Sequence, residues 1–467
     1  MKPRRFAFVL VVAAVVVGAI IAGDASARNA APAPPRASSG GGSAVWFCPG
    51  LPAAQQQSGG RVSFANLSGD AADVIVTDLP DAGAPSHTTF TIAGSSVVTK
   101  ARRDLGLPGA LTVETFGGDV VVEDGVLAAR AVAFAPCADT ASAHAYFAAG
   151  ATPRGVGQTL VIQNPYASDA KVDVTLRTSS GVHKPDQLQS LDITRRSRAV
   201  IRIDQYAVRE DRVAVEVDAE LGTFVATQSL VFDSGTGTPG VALALGAPAP
   251  SGEWTFAGET VPARGSAWVA VANVGGADAP VVVQATQAGP RQPLPVSFTV
   301  AQDNVVWVQL GHCGPRPARG CLALPDNVSF TLDVRSGQGV AIVAQTLTRG
   351  PFGLDGTLGA PAAASRWIFP FSSAPGVQIT QLSVFNPAAA PARVGIVRVH
   401  GGRVEQPSAW KSIVVAPGKR TDVTVASNTP RLPDDAAIVV QASAPVFVER
   451  SIATSSDASR SVGFAAG

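Results

Sequence analysis

Short runs in which apolar and polar residues alternate recur from about residue 44 to the end of the chain. Near the middle they are Thr159–Gln163, Lys171–Arg177, Ala199–Ile203 and Val213–Val217, framed by the aromatic pair Tyr146–Phe147 and the run Phe224–Phe232. A period of two over roughly five to seven residues marks half-buried strands. Between the runs lie glycine- and proline-rich stretches that supply turns.

The same plan is met four times. Its opening aromatics are Trp46–Phe47, Tyr146–Phe147, Trp254 with Phe256, and Trp367 with Phe369. Asn66, Asn164, Asn273 and Asn386 follow at 20, 18, 19 and 19 residues from the first aromatic. From these asparagines to Arg130, Gln228, Gln345 and Arg450 the separations are 64, 64, 72 and 64. The 8 extra residues of the third unit match the spacing of Cys313 and Cys321, as an inserted loop stapled by its own disulfide would. Regular spacing of this kind marks an internal repeat. Each unit offers about six or seven strands in 90–100 residues, the size of an immunoglobulin-like sandwich.

The expected fold is therefore all-β: four tandem immunoglobulin-like β-sandwich repeats behind an N-terminal signal or anchor helix. A β-propeller-like arrangement about one axis is the alternative. The divisions are 1–27, signal peptide or membrane anchor; 28–43, Pro/Gly/Ser linker; then units at 44–138, 144–233, 253–349 and 366–467. Trp46, Trp254 and Trp367 open equivalent strands and read as core. The four asparagines read as turn caps bonding the backbone two residues on.

Lys2, Arg4 and Arg5 precede an uncharged run from Phe6 to Ala22, and Ala25-Ser26-Ala27 follows. That is the layout of an export signal. Cleavage after Ala27 and retention as an anchor both fit, and in both cases the remainder is extracytoplasmic, at the membrane, in the cell wall or secreted. Four cysteines in an exported chain should be paired. The repeat selects Cys48 with Cys137, clamping the ends of the first unit, and Cys313 with Cys321 locally. A link of the first kind is worth about 4–5 kcal/mol on the chain-entropy model.

Charge narrows the partners. With 36 basic and 35 acidic residues the net charge is +1, falling to −2 without Lys2, Arg4 and Arg5, so no nucleic-acid footprint is present. His87, His144, His183, His312 and His400 sit at unrelated positions of the repeats and form no ligand motif. Neither nucleophile elbows nor zinc or phosphate-loop motifs occur, so no catalytic residue, cofactor or metal is assigned. Glu210-Asp211 and Asp434-Asp435 fall at turns; with Asp326-Asn327, Asp434-Asp435 is the place where a junction could offer hard oxygen ligands to calcium. Trp268, Trp307 and Trp410 have no counterparts in the other units, and core packing is their first reading. They are also the candidates for stacking on a sugar ring.

Leu160-Val-Ile-Gln-Asn-Pro165, Asn386-Pro387 and Phe447-Val-Glu-Arg-Ser451, with Tyr146-Phe147, resemble an uncharacterised extracytoplasmic β-repeat family of actinobacteria, a domain of unknown function. The similarity extends over residues 44–467; Asn66-Leu67 and Asn273-Val274 depart from its Asn-Pro. Members are often encoded beside a membrane glycosyltransferase, so the resemblance implies a cell-envelope setting and brings no activity. The expected function is a non-catalytic, secreted or membrane-anchored envelope scaffold, accessory to glycan assembly, whose partner is an envelope protein or polysaccharide. A glycan-binding module is the alternative, and a hydrolase a remote third.

Overall fold

The computed structural model describes residues 42–466 except 53–54, 57–58, 82, 129, 233–239, 315–319, 352 and 428–434. The signal or anchor segment, most of the linker and Asp434 lie outside the described residues. Among the described residues strands dominate, and all but one of the pairings are antiparallel; the exception is the two-residue strand Cys321–Leu322 beside Val305–Leu310.

One pairing scheme is used in four successive segments. In the first unit Ala44–Cys48, Ala110–Phe116, Ala72–Leu79 and Ser86–Ile92 form one sheet. Ser96–Ala101, Gly60–Asn66, Val120–Ala128 and Ala131–Pro136 form the facing one. In order along the chain the sheets are 1-6-3-4 and 5-2-7-8, and the other units repeat that allotment. It differs from the immunoglobulin scheme, in which strands 1, 2, 5 and 4 share a sheet and 3, 6 and 7 face them. In the fourth unit the sixth and seventh strands fuse into one, Ala437–Ala453, which pairs in one sheet through Ile438 and in the other through Val448. Each unit buries side chains between two sheets, so it is a sandwich rather than a single propeller blade.

The repeated residues explain why the scheme recurs. Asn164, buried at the end of the second strand, accepts the Tyr166 N–H on Oδ1 at 3.1 Å. Its Nδ2 donates to the carbonyls of Ser168 (2.8 Å) and Ile193 (3.0 Å). Asn66, Asn273 and Asn386 make the same set of bonds. Each amide thus fixes the turn after its strand and ties it to the following hairpin, satisfying backbone groups that would otherwise be buried unpaired. Trp46, Trp254 and Trp367 are buried, and their indole N–H groups donate to the equivalent carbonyls of Val120, Ile342 and Val446. The second unit instead turns Phe147 into its core.

Pairing corrects part of the sequence alignment. Opposite the position four residues before each asparagine stand Asp124, Gln228, Thr346 and Arg450. Arg130 lies past the strand end, and Gln345 is one residue off and therefore on the other face. Loops of unequal length had compensated in the count. The stretches left between the expected units, 234–252 and 350–365, also contain strands, Gly240–Leu245 and Gly353–Asp355, each the eighth strand of its unit. Gly-Val-Ala-Leu-Ala-Leu does not alternate because both its faces are covered. Cys48 joins Cys137 and Cys313 joins Cys321, as the repeat selects.

The eighth strands close the molecule. Ala131–Pro136 contacts both Gly240–Leu245 and Ala458–Val462, and Gly353–Asp355 contacts the same two, so four strands, one per unit, surround a common axis. Apolar cores run across every junction. Trp46 and Val113 share a cluster with Ile368 and Phe464, Leu230 and Phe232 with Val269 and Leu347, and Ala257 of the third unit with Trp367 of the fourth. Leu51 and Val126 meet Val241 and Leu243. The units form a ring rather than a string.

Candidate functional site: the axis and a tryptophan cleft

Where the eighth strands begin, the ring converges on one carboxylate. Asp457 Oδ2 accepts the N–H of Val132 (2.8 Å) and of Val241 (3.4 Å), and Oδ1 those of Leu354 (3.2 Å) and Ala458 (3.0 Å). Every unit contributes one donor. Burial pushes the acid up to about 8 against these hydrogen bonds, which favour its charged form. The packing admits no side chain nearby: a Cβ on Gly353, whose φ is +107°, would fall 1.7 Å from Asp457 Oδ1, and one on Gly240 2.4 Å from the Leu354 nitrogen.

Around the axis the junctions carry buried ion pairs. Arg450 of the fourth unit grips Glu123 of the first, Nη1 to Oε2 at 2.9 Å and Nη2 to Oε1 at 2.5 Å, with side-chain exposures of 1% and 3%. Arg460 binds Asp355 at 2.6 Å and Glu259 at 3.1 Å across the junction of the third and fourth units. Glu449 accepts the Gly258 N–H beside them; burial, then the neighbouring Glu259, pushes it up to about 8. Burial likewise raises Glu259 and Asp355. Convergent acids with raised pKa values are what hydrolysis would need, but none of the three lines either cavity described below. Arg460, Thr346 and backbone N–H groups engage both oxygens of Glu259 and Asp355 and Oε2 of Glu449, while Glu449 Oε1 is buried without a hydrogen-bond partner among the described residues.

Where the eighth strands end, a half-open cavity of about 510 Å³ sits on the axis. All four units line it, through Phe134, Leu243, Leu358 and Val462 among others, and its walls are mainly apolar. Ser142 and His144 lie at its edge, and His144 Nδ1 is 2.7 Å from Asp218. The serine hydroxyl accepts the main-chain N–H of His144, so the three do not form a nucleophile–base pair through that bond.

A second cleft, of about 440 Å³, opens between the second and third units. Trp268 pairs with Gln309 and Trp307 with Ala270, a register that puts both indoles on one face of the sheet. The turn bearing Asp211 and Arg212 faces them, with the Arg212 guanidinium 5.0 Å from the Trp268 ring and 5.9 Å from that of Trp307. Trp410 is elsewhere, on a short 3₁₀ helix against the core of the fourth unit. The structure thus unites two of the three singled-out tryptophans. Sequence spacing missed Arg212 as their neighbour, since nothing in it reveals contacts between units.

Among the described residues no group of three or more His, Cys, Asp or Glu is arranged to hold a metal, and no helix is long and apolar enough to cross a membrane. Asp326 pairs with His312 at 3.1 Å, and Asn327 and Asp435 adopt left-handed turn conformations. The two disulfides fit an oxidising, extracytoplasmic compartment.

Residues 114–345 match a family model described as "Family of unknown function (DUF5719)". The match starts in the sixth strand of the first unit and ends in the seventh of the third. No curated protein matches the chain. Among solved structures, Thermotoga maritima 1070 is similar at 16% identity and TM-score 0.20, over 23% of this chain and 94% of its own. The Anabaena sensory rhodopsin transducer is similar at 23% identity and TM-score 0.17, over 20% of this chain and 90% of its own. A tetra-tandem repeat from the extending region of a large adhesion protein aligns over 90% of this chain and 97% of its own, at 11% identity and TM-score 0.12.

Proposed function

We propose that this chain is a non-catalytic extracytoplasmic scaffold of the cell envelope: four sandwiches of immunoglobulin-like size, held as one rigid ring that presents its axial cavity to a partner. The observation that carries the reading is the closure itself. Four units donate to Asp457, and buried ion pairs lock the junctions, so the cavity walls are fixed relative to one another. A preformed, mainly apolar concavity at the meeting of several domains is the usual form of a binding site. The acids that cluster nearby lie within the junction and line neither cavity. An N-terminal signal or anchor, as the sequence reads, would deliver this ring to the outer side of the membrane.

The test fills the cavity. Ala138→Trp and Ala141→Trp put indoles into its wall. Photocrosslinking from Thr140 in intact cells, with wild type and filled variants of equal melting temperature, reads the contact. A defined partner crosslinked by wild type and lost in the filled variants supports the proposal. Equal crosslinking in all, or steady turnover of a glycoside or ester substrate by the purified chain, contradicts it.

A further inference from the structure

The cleft between the second and third units carries two polar groups that its own surroundings leave unmatched. Trp307 is 7% exposed, and its Nε1–H has no hydrogen-bond partner among the described residues. A buried indole N–H without an acceptor costs about 1–3 kcal/mol, so it normally finds one. Arg212 is half-buried and lies over both indole rings. Cation–π contact uses the face of a guanidinium and leaves its N–H edges available to an anion. Ser179, Ser266 and Asp211 complete the polar wall, and Arg349 sits 4.5 Å from the Phe232 ring at the cleft's other side.

We propose that this cleft binds an acidic saccharide, a sugar ring bearing a carboxylate. The half-buried Trp268, whose ring carries Arg212, forms part of the apolar wall on which the C–H face of the sugar rests. The Trp307 indole, whose Nε1 is closed off in this structure, completes the apolar wall, and Arg212 takes the carboxylate. The Ser179 and Ser266 hydroxyls and the Asp211 carboxylate are suited to sugar hydroxyls. The inference stands independently of the axial cavity, since the two sites share no lining residue.

Titration of the chain with tetragalacturonate, and with maltotetraose as the neutral control, tests it by calorimetry and tryptophan fluorescence. The acidic probe should bind and shift the fluorescence, and the neutral one should bind about tenfold more weakly or not at all. Arg212→Gln should abolish that preference, and Trp268→Ala should weaken both probes, with melting temperatures within the wild-type range. Arg212→Lys keeps the charge without the planar fork and should fall between wild type and Arg212→Gln. The proposal is overturned if wild type binds neither probe at about 10 mM, the weak end of specific recognition. It is equally overturned if the two probes bind alike, or if the Arg212 and Trp268 variants bind as wild type does.

Discussion

Removing the Arg450–Glu123 pair should open the ring where its first and last units meet, and the structure sets the size of the effect. The two side chains are 1% and 3% exposed and joined by two parallel hydrogen bonds. Breaking a buried pair from one side costs about 3–5 kcal/mol, because the survivor stays charged and desolvated. The survivors are not equal. Arg450 without Glu123 keeps the Ser461 hydroxyl at 2.7 Å and the Phe371 carbonyl, so Glu123→Leu should lie near 3 kcal/mol. Glu123 without Arg450 keeps only the Phe371 N–H at 3.2 Å, so Arg450→Met should lie near 5 kcal/mol. The double variant replaces both charges by apolar groups of similar volume and should recover most of the loss, to within about 1–2 kcal/mol of wild type. Urea denaturation of the four proteins, followed by tryptophan fluorescence, completes the double-mutant cycle. Trp46, Trp254 and Trp367 report from three units. Single losses below about 1 kcal/mol would be those of a solvent-exposed pair and would refute the junction as described.

Three further outcomes are expected. Asn164→Ala should lower stability by about 2–4 kcal/mol through its three lost hydrogen bonds, and Asn164→Asp should be worse, because it puts a carboxylate against the Ser168 and Ile193 carbonyls; chemical denaturation ranks the two. Asp457, Glu449 and Glu216, the last on the strand Val213–Leu221 beside Arg177, are raised by burial to about 8, 8 and 7, so folding favours their neutral forms. Their contribution is present in full below the ordinary carboxylate range and is lost as the pH rises through 7–8, so the urea midpoint should be lower at pH 9 than at pH 5.5. Cys48→Ser should cost about 2–5 kcal/mol and raise amide exchange first in Ala44–Cys48 and Ala131–Pro136, the strands bordering the lost link.

What could be read in the sequence was whatever is local and repeated. Asn66, Asn164, Asn273 and Asn386 announce four strand ends because one side chain does one local job at each. Trp46, Trp254 and Trp367 announce three first strands in the same way. The cysteine spacings carried the disulfides. The eighth strands escaped, since Gly240–Leu245 packs one face on the first unit and the other on the cores of its own and the third unit and so shows no alternation, while Gly353–Asp355 is too short to show any. Register escaped as well: Asp124 was hidden behind Arg130 by loops of unequal length. The ring and both cavities depend on contacts such as Asp457 with Val132, 325 residues apart, and no periodicity encodes these. The tryptophans were visible as exceptions to the repeat, but Arg212, which gives their cleft its charge, was not.

The claim on which the rest depends is that four units close around one axis. Small-angle X-ray scattering from residues 42–466 tests it directly. A closed ring of this length should give a radius of gyration of about 22 Å, and a string of four separate domains about twice that or more. A value near 22 Å, unchanged by dilution, is the expected result. An elongated particle would contradict the ring, and with it the axial site.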